Sequence, residues 1–134
     1  MKLFRTSIVL PLAAAAIAIT PAIGSDIPIG TYEGGGRACT GRLSITAKTL
    51  SWHTSFSRCD RLPYDFANLG DNKGVITYLF HLKHSQPGCL YRSVELHRRT
   101  APDGSTTWEA VGYLTREDQE AKRLDQALAC PVVH

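Results

Sequence analysis

The sequence carries no concentrated charge, no closely spaced cysteine pair and no recognisable catalytic signature, and each lack closes a route. Fifteen Lys and Arg stand against twelve Asp and Glu, for a net charge of +3. Without a dense positive field, nucleic-acid binding is not expected. The Arg98-Arg99 pair reads as a solvated strand end rather than a patch. There is no C-x-x-C for redox chemistry, no H-E-x-x-H for a zinc hydrolase and no G-x-S-x-G nucleophile elbow. His81-x-x-His84 is an odd offset on a strand, which points its rings to opposite faces. Neither a metal nor a cofactor is expected.

Long apolar runs are also missing. The one near the N-terminus, Ser7 to Ile19, is too short and too weakly flanked for a membrane span, so no stable membrane anchor is expected. Its setting points elsewhere: Lys2 and Arg5 precede it, and Ala22-Ile23-Gly24 follow it. A charged start, an apolar middle and small residues before a cut make residues 1–24 a secretory signal peptide, cleaved after Gly24 or, alternatively, after Ala22. What remains, residues 25–134, suits a single secreted or periplasmic domain with one modest core. Losing Lys2 and Arg5 takes the basic count from 15 to 13 against 12 acids, for a net charge of +1.

All four cysteines, Cys39, Cys59, Cys89 and Cys130, lie in that exported part. An even number in an oxidising compartment reads as two disulfides with three pairings open. The strand pattern favours one of them. Leu43, Ile45 and Ala47 share one face of a first strand, and Leu50, Trp52, Thr54 and Phe56 share one face of a second. A hairpin centred near Thr49 places Cys39 and Cys59 at its open end, which predicts Cys39–Cys59 and, by elimination, Cys89–Cys130.

The rest continues in the same style. Residues 61–74 read as a loop with a short strand around Tyr64 to Leu69, closed by the turn chemistry of Gly70-Asp71-Asn72-Lys73-Gly74. Val75–His84 and Cys89–Arg98 form a second hairpin, with Ile76 opposite Leu96 to keep the apolar residues on one face. That register puts His81, Lys83, Tyr91, Glu95 and His97 on the wetter face and leaves Arg92 among core residues. Thr107–Leu114 alternates as another strand. Thr115 to Asp118 then resembles a capping box, and Ala121, Leu124 and Leu128 follow at helical spacing, predicting a helix from Arg116 to about Ala129. The expected fold is mainly β: a small antiparallel curved sheet or barrel of about six or seven strands, one C-terminal helix and two disulfides.

Three chemistries are worth weighing against this frame. Gly36-Arg37-Ala38-Cys39-Thr40-Gly41-Arg42-Leu43 approaches the phosphate-loop pattern, but Arg42 and Leu43 replace its Lys and Ser/Thr, and a strand rather than a helix follows. Ser51 and Ser55 flank His53 on one strand face, the only arrangement suggesting a small hydrolase. Glu95 and Glu109 fall on adjacent strands without any sign of catalytic separation.

Binding is the reading left. Arg92 on an apolar face either snorkels to water or anchors an anionic ligand or a partner's carboxylate. Arg37, Arg42, Arg58 and Arg61 flank the expected first disulfide, and His53 and His81 stand on wet strand faces; together these are the candidate binding residues. In layout the exported four-cysteine β domain is broadly similar to small periplasmic inhibitors of lysozyme or proteases and to short lipocalin-like barrels. No motif specific to either is present. The leading expectation is a binding domain for another protein, an inhibitor or immunity-type factor. The alternatives are a lipocalin-like carrier of a small anionic ligand, with Arg92 inside the barrel, and the small hydrolase.

Overall fold

A computed structural model of the protein describes residues 8–16 and 26–134. The expected cleavage points after Ala22 and Gly24 lie outside the described residues. Eight strands follow one another: β1 (Gly30–Gly34), β2 (Gly41–Ile45), β3 (Thr49–His53), β4 (Arg58–Asn72), β5 (Val75–Leu82), β6 (Ser93–Thr100), β7 (Thr106–Tyr113) and β8 (Ala127–Val133). Each pairs antiparallel with the next, and β1 pairs with β8 through Glu33↔Val133 and Gly34↔Val132, closing a barrel. Closure leaves no free sheet edge, which suits a fold built of short strands.

In the first hairpin alternation sorts Leu43, Ile45, Leu50 and Trp52 inward as expected, whereas Ala47 and Phe56, expected on the same faces, lie in turns and are exposed. Leu43 faces Trp52 and Ile45 faces Leu50 across β2 and β3, all buried inside, while Arg42, Ser44, Ser51 and His53 face out. Tyr32, Leu62, Tyr64, Phe80, Val94, Leu96, Ala110 and Val132 complete the interior. At one end of the barrel the imidazole of His134 stacks on Tyr32, with ring centroids 4.4 Å apart. The interior is therefore filled with side chains, as the core of a small eight-stranded barrel can be. The alternative of a lipocalin-like carrier would need an enclosed cavity among these side chains.

Four local expectations are corrected. The segment read as a loop is the fifteen-residue strand β4. It reverses into β5 through Lys73 and Gly74, both at positive φ (55° and 84°), the pair of values a two-residue hairpin turn requires. In the β5–β6 hairpin Ile76 faces Arg98 and Tyr78 faces Leu96. That is two residues from the expected register, an even slip that preserves the faces of the paired strands.

The third correction concerns the helix. Thr115 caps the helix, its Oγ1 accepting the Asp118 N–H at 3.0 Å, but α1 spans only Arg116–Glu120. Lys122 at φ 52° ends the helical path, a short 3-10 turn covers Leu124–Gln126, and Leu128 belongs to β8. The stripe Ala121, Leu124, Leu128 mimics a helix, but β8 is the strand needed to close the barrel.

The fourth is the disulfide pairing. The bonds are Cys39–Cys130 and Cys59–Cys89, not Cys39–Cys59 and Cys89–Cys130. The chain turns at Thr54–Ser57, so Cys59 lies on β4 opposite Trp52 rather than on the far end of β3. Cys39, in the β1–β2 loop, meets the β8 strand that closure brings beside β1. Two intramolecular bonds fit an oxidising environment, such as an extracellular or periplasmic one. No helix among the described residues is long and apolar enough to cross a membrane.

Candidate functional site

Because the strands run up and down in order, the β1–β2, β3–β4, β5–β6 and β7–β8 connections share one end of the barrel. Both disulfides reach that end through Cys39 and Cys89. Hydrogen bonds tie its loops to one another. Ser55 Oγ donates to the Arg37 carbonyl at 2.7 Å, Arg58 N–H to the Gly88 carbonyl at 2.9 Å, and Leu90 N–H to Ser57 Oγ at 3.0 Å. Gln86 grips the Asp60 backbone twice, accepting from its N–H at 2.7 Å and donating to its carbonyl at 3.0 Å.

On this braced end three connections expose apolar side chains. Phe56, in the tight turn from β3 to β4, is 76% exposed. Leu90 precedes β6, and Leu114 and Leu124 flank α1; all three are exposed. Leu90 N–H is bonded to Ser57, the residue after Phe56, and its neighbour Tyr91 borders a depression with Leu114.

The arginines expected to gather beside one disulfide do not form one cluster. Arg37 sits in the β1–β2 loop. Arg42 is exposed on β2 and donates from Nε to Glu33 at 2.6 Å. Arg58 is exposed at the start of β4, 3.6 Å from Asp60. Arg61 occupies a bulge where β4 gains one residue against β3, with φ 46° and its N–H bonded to Ser51 Oγ at 2.8 Å. Asp60, which follows the inward Cys59, faces outward onto His53 and is hydrogen-bonded to its Nε2. His53 thus has a carboxylate partner that the strand pattern did not foresee.

This arrangement removes the expected serine partner of His53. Ser51 accepts from Arg61 and Ser55 donates to Arg37, so neither is bonded to the imidazole. A different serine, Ser93, lies 2.7 Å from His81 Nδ1, but it is fully buried and no substrate can meet it. Among the described residues no three His, Cys, Asp or Glu side chains converge as metal ligands.

Arg92 is the largest change from expectation. Both Arg92 and Ser93 lie opposite Tyr113, since Arg92 N–H donates to the Tyr113 carbonyl at 2.9 Å while Ser93 is its register partner. The extra residue reverses the alternation there. Tyr91 enters the core, with its ring 5.1 Å from Trp52, and Arg92 turns out to the surface beside His81, Lys83 and Arg116. The anomaly of a charge in the core is solved by a bulge, not by a ligand inside the barrel.

Outside β6, Glu95 was expected on a wet face but is 2% exposed beneath α1. It accepts hydrogen bonds from His97 Nε2 at 2.8 Å, Gln119 Nε2 at 2.9 Å and Lys122 Nζ at 2.5 Å. Burial pushes its carboxyl up, but those three donors outweigh it and hold the group down at about 2. The pair of Glu95 and Glu109 brackets His97 instead of a substrate. Glu95 fastens α1 and its following turn to the barrel, and so fixes the position of Leu114 and Leu124. No protein-family model, curated protein or solved structure matches the chain.

Proposed function

We propose that the protein is exported and acts by binding another protein, as an inhibitor or immunity-type factor, through the loop end that carries Phe56, Leu90, Leu114 and Leu124. The observation that carries this reading is a set of exposed apolar side chains on loops of one barrel end that are already tied by two disulfides and by hydrogen bonds between loops. Exposed aromatic and aliphatic side chains supply contact energy at the centre of protein interfaces, and loops ordered beforehand lose little freedom on binding. Arg37 and Arg58 stand beside this patch, where they would serve as its polar rim. The signal peptide belongs to the same reading: residues 8–16, the part of it that is described, are exposed throughout, Ile8 at 81% and Leu12 at 97%.

The test is capture of partners from secreted and envelope extracts by the oxidised protein, run beside Phe56→Asp and Leu114→Asp. A partner retained by the wild type and lost from both variants supports the reading. A partner retained equally by all three, or none retained at all, overturns it.

A further inference from the structure

A groove of about 520 Å³ on the barrel's outer wall, beside the loop end, plays no part in the reading above. It runs between β4, β5, the bulge at Arg92 and the start of α1, and Asp65, His81, Lys83, Arg92, Arg116 and Glu117 line it. Three permanent cations face two carboxylates. Lys83 is shared with Asp65 at 3.6 Å. Neither guanidinium has a carboxylate within 4.0 Å among the described residues.

Arg92 has a further deficit. Its Nη1 is buried and finds no hydrogen-bond partner among the described residues. A charged donor without an acceptor is costly, and the side chain that carries it lines the groove, where the guanidinium can form charge-assisted bonds to an incoming oxyanion. The Tyr113 and Leu82 backbones hold the Arg92 peptide groups at the groove's edge. On the floor, His81 is oriented by Ser93 at 2.7 Å. Burial, and then the Arg116 charge, push its pKa down, so the ring reports on the positive charge that gathers in the groove.

We infer that this groove binds a small oxyanion with at least two negative charges, a phosphate ester or a polycarboxylate, held between the guanidiniums of Arg92 and Arg116. Two cations without carboxylate partners match a dianion better than a monoanion. Forked guanidiniums suit phosphate and carboxylate oxygens alike. The groove's size leaves space for an organic body beyond the charged group.

The experiment is a titration of the oxidised full chain with inorganic phosphate, citrate, acetate and chloride at equal ionic strength, followed by the NMR signals of the His81 ring and neighbouring amides. Saturable shifts with phosphate or citrate, stronger than with acetate and absent with chloride, together with a rise in the His81 pKa, support the site. Tighter binding of phosphate than of citrate assigns a phosphoryl ligand, and the reverse assigns a carboxylate one. Arg92→Gln and Arg116→Gln each weaken binding by about tenfold or more. Arg116 is exposed, so its variant keeps the fold even if the Arg92 change disturbs it. Shifts no larger than those of chloride, or saturable binding unchanged in Arg116→Gln, overturn the site.

Discussion

Gly112 lies directly beneath the Trp52–Tyr91 pair. The two rings are 5.1 Å apart, and a Cβ on Gly112 would come within 2.7 Å of both Trp52 Cζ3 and Tyr91 Cδ1. The absent side chain is what lets Tyr91 turn into the core, and Tyr91 turning in is what places Arg92 outside. Gly112→Ala is expected to destabilise the protein by about 1–3 kcal/mol, because two buried rings cannot both withdraw. Thermal unfolding reads this as a lower Tm; an unchanged Tm would show that the aromatic pair has slack.

Stability is expected to fall with acid in two stages. The His81 pKa is lowered in the folded protein, chiefly by burial, so the unfolded chain takes up its proton first and stability declines as pH drops below about 6.5. Glu95 has its folded pKa depressed to about 2 from 4.5, so its contribution is complete above pH 4.5 and is lost as pH falls toward 2. That contribution is roughly 3 kcal/mol. In urea unfolding followed across pH, Glu95→Gln should remove the lower stage and leave the upper one. Retention of both stages would assign the acid response to other carboxylates.

The disulfides are expected to differ in weight. Cys39–Cys130 closes a span of 91 residues and Cys59–Cys89 one of 30. By loop entropy the longer link contributes more, by about 1 kcal/mol. Paired Cys→Ser variants compared by denaturant unfolding measure the difference, and a digest under non-reducing conditions should release peptides joining Cys39 to Cys130.

Phe56 and Trp52 offer a contrast four residues apart. Phe56→Ser should leave unfolding free energy within about 0.5 kcal/mol of the wild type, because the ring is exposed. Trp52→Ala should cost about 3–5 kcal/mol by opening a hole in the core. Chemical denaturation distinguishes the two, and a large loss from Phe56→Ser would mean that the ring supports the fold rather than a partner.

The same two residues explain what could be read from the sequence. Leu50, Trp52, Thr54 and Phe56 alternate without a break, yet the strand ends at His53 and Phe56 is at the tip of a turn. Extending the pattern by three residues carried Cys59 to the wrong place and produced the wrong disulfide pairing. Period two was a sound guide to the mainly β fold, to the β2–β3 hairpin and to the inward faces of β5 and β7. Bulges were invisible to it: one extra residue at Arg92 moved that charge from the interior to a groove with Arg116. His53 gained its carboxylate from the fold-back of β4 along β3, which puts Asp60 on the same outer face. Contacts set by barrel closure, such as Cys39 with Cys130, need the whole topology and leave no local signal.

Strand order also governs how the molecule is assembled. Seven of the eight strand junctions join neighbours along the chain and can zip from hairpin to hairpin, but the meeting of β1 and β8 brings together the two ends of the domain through two residue pairs. Such a distant junction forms late and opens early. The Cys39–Cys130 bond spans this seam and acts as its clasp. In a reducing environment the barrel would begin to unroll there, so the protein's working lifetime is tied to the redox state of its surroundings.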